Sequence, residues 1–476
     1  MVGGMTNKLR IAAGVAVTAA LVGYAVTSVI SPASSADASS RPPACAAPTL
    51  PTGQPSAASP LKPTTITTIE QAYYCIVDHY YRGSALDDRT LLVPAFAALT
   101  QEMQRRGLDQ SQATMPALTG GRDADWAAFS RAYQKIAAKL PKDPALRPAV
   151  AEVTLSGMVA ALGDDHARWA RLPQQRNLLG LQFSGLRADG IDPAGTAPIF
   201  VTAVAPGSGA QSAGIKPGDE VVAVNGVPPI VNGIVSEGVL AWLRTASAGQ
   251  PVQLKLRRPV TGTTFTTTVN PVAFAQAPPT AETKLLPGDL AEVTIPSFYP
   301  GVADQVLNAI AELRKNTTLR GIILDLRGNG GGSGAELVQL LGAFVHGKTT
   351  SYWCDVRDQC TANHPDDTVR LLNLPLVALT DRGCASACDS FASAVKDLHL
   401  GTLVGARTAG LVSGPALPYL LDDNSELTLP FFREIGANRE IVDTIGVAPD
   451  HMAPMTAADL SAGRDPGVAK ARTLLR

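Results

Sequence analysis

The sequence predicts an α/β protein whose largest part is built around a mostly parallel sheet. Three hydrophobic patterns follow one another along the 476 residues. Apolar residues recur every three to four positions in residues 64–172, as in helices, and every second position from 177 to about 274, as in short strands. After Gly288, short apolar strands alternate with amphipathic helices, which favours a parallel sheet covered by helices. A chain of this length is expected to fold as several domains.

The first 63 residues are typical of an exported protein. Lys8 and Arg10 precede residues 11–30, an uncharged apolar run of about the length that crosses a bilayer. Small residues follow and resemble a cleavage site, so residues 1–30 are predicted to be either a signal peptide or an N-terminal membrane anchor. Either alternative sends the rest of the chain out of the cytoplasm, as a secreted protein or one anchored to the cell membrane. Residues 31–63, rich in Ser, Pro and Ala, are predicted to be a linker.

Composition limits the kinds of partner and of covalent chemistry. The formal net charge of −1 and the lack of a basic stripe argue against nucleic-acid binding. An even number of cysteines, six, without a CxxC or Cys/His pattern favours disulfides over a metal site in an exported chain. The simplest pairing is Cys45–Cys75, Cys354–Cys360 and Cys384–Cys388.

Residues 177–276 follow a helical region predicted for residues 64–176, and they hold short strands separated by Gly, Pro and Asn turns. Within them, the turn at residues 214–219 and the hairpin at residues 224–226 belong to a string that closely resembles a PDZ domain. The resemblance implies peptide binding by a loop whose backbone N–H groups hold a C-terminal carboxylate. That loop would consist of Leu179, Gly180, Leu181, Gln182 and Phe183.

Residues 280–460 contain two strand-to-helix turns rich in small residues. The first, residues 325–332, reads D-L-R-G-N-G-G-G, and the second, residues 383–387, reads G-C-A-S-A. Both follow predicted buried strands, and in parallel α/β sheets functional residues lie at the C-terminal ends of the strands. Residues 461–476 are predicted to form a surface helix or tail.

Ser386 lies in the second turn, where a predicted strand gives way to a predicted helix. A helix N-terminus directs backbone N–H groups and the positive end of its dipole towards an oxyanion that forms beside it. Ser386 is therefore the candidate nucleophile. Glycines of the first turn can expose N–H groups in the same way, because no Cβ blocks the approach. The candidate oxyanion-hole residues are Gly330, Gly331 and Ala387.

The two turns and the PDZ-like segment together resemble the family of C-terminal processing (tail-specific) and tricorn-type serine peptidases. D-x-R-x-N-G-G-G is intact in the first turn, and a late G-V-x-P-D string is present at residues 446–450. The second turn matches at Gly383, Ala385, Ser386 and Ala387. The resemblance implies a catalytic core of crotonase-like ββα units in residues 280–460 and hydrolysis without a metal or organic cofactor.

One position departs from the tail-specific pattern and changes the predicted base. A G-x-x-T-x-G string matches the one that leads into the catalytic lysine of those members, but the residue after it is Leu411. Without an amine there, Ser386 needs another base. In the tricorn-type branch, a histidine ahead of the PDZ segment is the base and a late acidic residue orients it. The resemblance thus implies His166 as base and Asp443 as orienting residue, with Glu440 as a rival for the second role.

Two functions from different classes remain open. The first is an exported or membrane-anchored serine endopeptidase that hydrolyses proteins or peptides through an acyl-enzyme. The second is a catalytically inactive extracytoplasmic PDZ scaffold, in which loss of the lysine has ended the chemistry and peptide binding remains.

Overall fold

The computed structural model describes most of the chain from residue 60 onwards, together with Cys45. The predicted signal peptide or anchor, residues 1–30, lies outside this part, as does most of the predicted linker. No helix within the described ranges is both long and apolar enough to cross a membrane. The described residues are Cys45, 60–171, 179–184, 198–231, 234–236, 239, 242–243, 250–272 and 280–476.

Four helices and a short strand form the front part. Thr65 and Asp87 cap the first two helices, each accepting a hydrogen bond from a backbone N–H of the first turn. The second and fourth helices pack closely at Gly157, where an added Cβ would lie only 2.5 Å from the Ala98 Cβ. The elements are α1 (Ile66–His79), the 3₁₀ turn Gly83–Ala85, α2 (Asp88–Arg105), α3 (Arg122–Ala138), α4 (Leu146–Ala160) and β1 (Arg168–Ala170).

The middle part is a small β-rich unit with its own apolar core. Its strands pair as β2-β3, β4-β7-β8 and β5-β6. Asn225 and Gly226 have φ values of 49° and 82° and form the predicted tight turn, in which Val224 and Val227 exchange backbone hydrogen bonds. The elements are β2 (Leu181–Phe183), β3 (Val201–Val204), α5 (Gly209–Ser212), β4 (Glu220–Val224), β5 (Ile230–Val231), β6 (Ile234–Val235), β7 (Val252–Arg258) and β8 (Thr263–Val269).

The back part contains the largest sheet described. Its strands are β9 (Glu282–Leu286), β10 (Leu290–Thr294), β11 (Gly321–Asp325), β12 (Ser351–Cys354), β13 (Cys360–Asn363), β14 (Leu376–Thr380), β15 (Thr402–Gly405), β16 (Ala416–Leu420), β17 (Glu426–Pro430), β18 (Arg433–Gly436) and β19 (His451–Met452). Its helices are α6 (Val302–Asn316), α7 (Gly334–Gly342), α8 (Ala387–Asp397), α9 (Ala457–Ser461) and α10 (Pro466–Leu474).

Six of these strands form the main sheet in the order β19-β15-β14-β11-β10-β9. All neighbours are parallel except β9, which pairs antiparallel with β10. Strands β11 and β14 are buried at every position, because helices cover both faces of the sheet. The predicted α/β class with a mostly parallel sheet is confirmed.

A hairpin of the back part completes the core of the front part. Strand β17 pairs with β16 and also with β1 at the end of the helical region. The side chains of Tyr419, Leu427 and Leu429 belong to the same buried cluster as the helices of the front part. This shared core brings the segment that precedes β1 against the catalytic region, and it is the feature of the fold that positions the site.

The C-terminal segment differs from the predicted surface helix or tail. Helix α10 packs on the main sheet, and Ala471 and Leu475 are buried against Ile323 and Leu379. Val468, Ala471 and Leu475 recur at three-to-four spacing and form an apolar face, which explains why the helix packs on the sheet. The boundaries predicted for the individual domains remain predictions.

All three predicted disulfides are present. Cys45 joins Cys75 in α1, Cys354 joins Cys360 across the β12-β13 hairpin, and Cys384 joins Cys388. The last pair encloses Ser386.

Candidate active site

Ser386 lies between β14 and α8, at the N-cap position of the helix. Its backbone has φ 57° and ψ −121°, a conformation that residues with a Cβ rarely adopt and that the surroundings must hold in place. Its N–H donates to the Leu411 carbonyl at 2.9 Å, and the neighbouring Ala385 N–H donates to the Asn329 carbonyl at 2.9 Å. The turn is therefore anchored to two other segments, one through the serine itself and one through the residue before it.

A buried carboxylate in the first turn of α8 strengthens this anchoring. Asp389 accepts hydrogen bonds from the N–H groups of Ser386 at 3.1 Å, Gly410 at 3.0 Å and Leu411 at 3.0 Å. Burial raises the pKa of Asp389 to about 6, although these amides and the Thr408 hydroxyl lower it. One side chain thus joins the nucleophile turn to the segment that carries Leu411.

His166 comes from the front part and reaches Ser386. Its Nε2 lies 3.2 Å from the Ser386 Oγ, although the two residues are 220 positions apart in the chain. This is hydrogen-bond distance, and it is the separation expected between a nucleophilic hydroxyl and its general base. The structure therefore brings together the two residues whose meeting the sequence analysis requires.

The other ring nitrogen of His166, Nδ1, contacts the carboxylate of Asp165. The His166 Nδ1 lies 2.6 Å from the Asp165 Oδ1. In this arrangement Nδ1–H donates to the carboxylate, and Nε2 is left to accept the proton of Ser386. Burial lowers the pKa of His166, but the hydrogen bond and charge of Asp165, together with the charges of Asp164 and Asp443, outweigh it, so the pKa is raised above its ordinary value.

Asp443 lies near the pair but does not make the predicted hydrogen bond to His166. Its Oδ1 is buried and has no hydrogen-bond partner among the described residues. Burial and the nearby charges of Asp165 and Asp164 raise the pKa of Asp443 to about 7, against the opposing effects of the Val412 N–H and His166. The contact assigned to Asp443 is thus made by Asp165, and Asp443 is an additional carboxyl group whose charge acts on His166. The rival, Glu440, instead accepts from the Ser393 hydroxyl at 3.1 Å.

The ligand atoms of Asp164, Asp165 and His166 lie within 4.8 Å of one another, a spacing that could hold a metal ion. Hydrogen bonds within the protein account for this cluster. Asp164 accepts from the Tyr80 hydroxyl at 2.9 Å and from the His166 backbone N–H at 3.0 Å, while Asp165 holds the ring. The cluster is therefore fully explained as support for His166.

The first glycine-rich turn packs directly against the nucleophile. An added Cβ at Gly331 would lie 2.6 Å from the Ser386 Cβ and 3.0 Å from the Ala387 nitrogen, so only glycine fits there. The Gly331 N–H donates to the Asn329 Oδ1 at 2.9 Å and is engaged, contrary to its predicted role as an oxyanion donor. The candidates that keep this role are the N–H groups of Gly330, which is exposed at the surface of the loop, and of Ala387.

Comparison with known proteins agrees with this geometry. Residues 289–453 match the model of peptidase family S41, and residues 200–258 match that of the PDZ domain. The chain carries an S41 peptidase domain and a PDZ domain.

Individual relatives support the same assignment. Carboxy-terminal processing protease CtpA of Bacillus subtilis is 26% identical over 62% of this chain, and carboxyl-terminal-processing peptidase 2 of Arabidopsis thaliana chloroplasts is 27% identical over 63%. The matches span 62% and 60% of the lengths of these relatives. The solved structure of mature CPAF aligns with a TM-score of 0.50 and 16% identity over 80% of this chain and 96% of that one, a likeness of fold.

Within the S41 domain, Leu411 occupies the place where the sequence analysis expects a lysine. Its side chain is 7% exposed and packs with Ala385 and Ala409. Its backbone still accepts from the Ser386 N–H and donates to Asp389. The backbone of Leu411 thus holds the nucleophile turn, while its side chain offers no amine that could act as a base.

A small cavity lies beside helix α8, one turn beyond the nucleophile. Its volume is about 10 Å³, which is room for about one water molecule. Burial raises the pKa of Glu434, which lines the cavity, against hydrogen bonds from Ser390, Ser351 and Trp353. In this conformation the cavity does not admit a large side chain.

Residues 179–183, the predicted peptide-binding loop, lead into β2 and pair through it with β3 of the PDZ domain. Leu181–Phe183 form β2, in which Leu181 and Phe183 are buried and Gln182 is exposed. Gly180 has φ 74°, and an added Cβ would lie 2.2 Å from the Ser208 Cβ, so the loop is packed tightly on the start of α5.

Two residues that matter for the site were missed from the sequence. Asp165 was visible as part of the Asp164-Asp165-His166 run, but nothing in that run indicates which carboxylate faces the ring. Asp389 follows the nucleophile turn in the sequence, where nothing local indicates its role. Its triple backbone contact depends on the segment around Gly410, which is distant in sequence.

Proposed function

We propose that this chain is an exported serine endopeptidase that hydrolyses peptide bonds through an acyl-enzyme on Ser386. The observation that carries the proposal is the 3.2 Å separation between the His166 Nε2 and the Ser386 Oγ. The match to the peptidase family S41 model supports the reaction class. The three disulfides support folding outside the cytoplasm, because such bonds persist in oxidising compartments.

In the proposed mechanism, His166 takes the proton of Ser386 as the hydroxyl oxygen attacks the peptide carbonyl carbon. The N–H groups of Gly330 and Ala387 donate to the oxyanion of the tetrahedral intermediate. His166 then gives the proton to the leaving amine, and the acyl group stays on Ser386. Water, deprotonated by His166, attacks the ester and releases the second product.

Asp165 and Asp443 have different roles in this proposal. Asp165 orients the ring through Nδ1 and stabilises the imidazolium that forms during the reaction. Asp443 acts as the second carboxyl group, whose charge varies around neutral pH because burial and the other acids raise its pKa to about 7. Its ionised form favours the imidazolium, and its neutral form does not.

The PDZ domain is proposed to bind the C-terminal residues of a protein or peptide substrate. The match of residues 200–258 to the PDZ domain model supports this, because PDZ domains bind extended peptide segments. Residues 11–30 are proposed as the export segment, either cleaved or kept as an anchor in the cell membrane.

A second function is favoured by one observation, the apolar Leu411 in place of a lysine. The alternative is an extracytoplasmic PDZ scaffold without catalytic activity. It predicts a folded protein that binds peptides but does not react at Ser386.

A fluorophosphonate probe and a peptide substrate separate these functions. The endopeptidase predicts hydrolysis and covalent labelling of the intact chain, both lost in Ser386→Ala. A folded parent protein that neither hydrolyses peptides nor reacts with the probe would support the scaffold and contradict the enzyme. Thermal unfolding of both proteins gives the control for folding.

A further inference from the structure

The proposed oxyanion hole is formed by two separate segments, which raises the question of what fixes their spacing. Gly330 belongs to the glycine-rich turn after β11, and Ala387 belongs to the turn after β14. Stabilisation of an oxyanion requires donors about 3 Å from the position that the oxygen will occupy. A shift of one turn relative to the other by about 1 Å is enough to reduce catalysis by about a hundredfold.

One carboxylate oxygen connects the two turns. The Asp381 Oδ1 accepts a hydrogen bond from the Gly328 N–H at 2.8 Å and another from the Gly383 N–H at 2.8 Å. Gly328 is two residues before Gly330, and Gly383 is four residues before Ala387. Each donor segment is therefore tied to the same atom close to its proposed functional N–H.

The backbones of the turns are in contact at this point. An added Cβ at Gly383 would lie 2.6 Å from the Gly328 Cα, so the two glycines can approach only because neither has a side chain. The Ala385 N–H, which donates to the Asn329 carbonyl at 2.9 Å, makes a second connection. The Asp381 side chain holds the two turns in this contact through its hydrogen bonds to Gly328 and Gly383.

A fixed arginine partly offsets the burial of the Asp381 carboxyl group, whose pKa remains above its ordinary value. Burial raises the pKa of Asp381, while the two glycine N–H groups and the charge of Arg327 lower it. Arg327 is itself held by Asp325, with its Nε 2.8 Å from Oδ1, and by Asp465 at the start of α10, with its Nη2 2.8 Å from Oδ2. The C-terminal helix thus contributes to the electrostatic surroundings of the two turns.

We propose that Asp381 is a positioning residue that sets the distance between the oxyanion donors and Ser386. It does not touch the substrate, and it acts through the backbones of the two turns. This inference rests on the proposed peptidase activity and extends it to a residue outside the Ser386, His166 and Asp165 arrangement.

The test compares Asp381→Ala, Asp381→Asn and Asp381→Glu in the full chain. For each, active sites are titrated with a fluorophosphonate, kcat and KM are measured per titrated site, and inhibition by a peptide aldehyde is measured. The aldehyde adds to the Ser386 hydroxyl, and the resulting hemiacetal oxygen occupies the oxyanion position. Its inhibition constant therefore reports the donors directly.

We expect Asp381→Ala to lower kcat by about a hundredfold and to weaken aldehyde inhibition by a similar factor, with KM changed by less than about threefold. Asp381→Asn keeps an oxygen that can accept both N–H groups and should lose about tenfold or less. Asp381→Glu keeps the charge but displaces it by one methylene, so we expect it to be slower than Asp381→Asn.

The control is Asp355→Ala. Asp355 Oδ1 also accepts two backbone N–H groups, from Arg357 at 2.8 Å and Gln359 at 2.9 Å, in a turn outside the catalytic site. We expect its kcat and aldehyde inhibition to remain within about twofold of the parent protein, because the same kind of contact is lost without moving a donor.

Four results would overturn the inference. Unchanged kcat and aldehyde inhibition per titrated site in Asp381→Ala would do so, as would a loss confined to the fraction of titratable protein. If Asp381→Ala does not fold, the other two variants decide: a higher kcat in Asp381→Glu than in Asp381→Asn would show that the charge at this position matters and its placement does not. A parent protein without Ser386-dependent hydrolysis would overturn the proposed function and this inference together, whereas an active parent with unaffected variants overturns the inference alone.

Discussion

The nucleophile turn, residues 383–389, and the base segment, residues 163–167, meet at the active site but are held there in different ways. The nucleophile turn is bonded to distant segments through Asn329, Leu411 and the side chain of Asp389. A disulfide encloses it as well. The base segment is held mainly by its neighbours: Asp164 and Asp165 bind His166, and the Tyr80 hydroxyl donates to Asp164.

This difference indicates how each half responds to change. The nucleophile turn is overdetermined, so the strained backbone of Ser386 is maintained by several contacts at once. The position of His166 depends on how the front part packs on the β16-β17 hairpin. Strand β1 begins two residues after His166 and pairs with β17. Substitutions at the nucleophile turn should change the rate of the chemical step, whereas those near His166 should also change its pH dependence.

The largest effect is expected where the two halves meet. Ser386→Ala and His166→Ala should each lower kcat by about 10⁴-fold or more, and the double variant should be no slower than the slower single variant, because the two side chains act as a unit. Steady-state hydrolysis of a peptide substrate measures this. Multiplicative losses in the double variant would mean that the residues act independently.

The next effect compares the two carboxylates behind His166. Asp165→Asn should lower kcat by about 10²-fold to 10⁴-fold, because the ring loses its orienting acceptor. It should also shift the acidic limb of the kcat/KM profile to lower pH, because loss of the carboxylate lowers the pKa of His166. An unshifted limb would contradict the assignment of Asp165.

Asp443→Asn should have a smaller effect that depends on pH. The pKa of Asp443 is raised to about 7, so its carboxyl group is mostly neutral at pH 6 and mostly ionised at pH 8. An amide resembles the neutral form, and the variant should therefore match the parent protein at pH 6 and fall below it at pH 8. Equal loss at both values would indicate a structural role instead.

The two short disulfides offer a matched comparison of the catalytic turn with a region outside it. Cys384→Ala/Cys388→Ala and Cys354→Ala/Cys360→Ala open loops of sequence separation 4 and 6, so each should cost about 2 kcal/mol of unfolding free energy. Only the first pair should lower kcat, by about tenfold, because only that loop contains Ser386. Equal kcat values in two folded variants would show that the disulfide does not position the nucleophile.

The smallest effect on activity is expected at Leu411. Leu411→Lys should give no gain in kcat, because His166 already serves as base. It should lower the unfolding temperature, since the amine would enter an apolar contact with Ala385 and Ala409. Leu411→Met is the control of similar volume. A large gain in kcat in Leu411→Lys would mean that the missing lysine limits the parent protein.

The sequence predicted those parts of the protein that local patterns control. Continuous apolar strands indicated the parallel sheet, the two small-residue turns indicated Ser386 and its loop, and cysteine spacing indicated the disulfides. The pairing of β17 with β1 could not be predicted, because it depends on a hairpin more than 250 residues later in the chain. The contact of His166 with Asp165, rather than with the predicted Asp443 or its rival Glu440, could not be predicted for a related reason: the orientation of an imidazole ring is set by packing in three dimensions.

The most direct test of the central claim is the rate at which a fluorophosphonate reacts with Ser386 in His166→Ala. This reaction needs the activated hydroxyl but no substrate-binding groove, and so it isolates the contact between the two residues. We predict a second-order rate constant at least about 10²-fold below that of the parent protein, with an unchanged unfolding temperature. Labelling of a folded His166→Ala protein at the parental rate would contradict the claim.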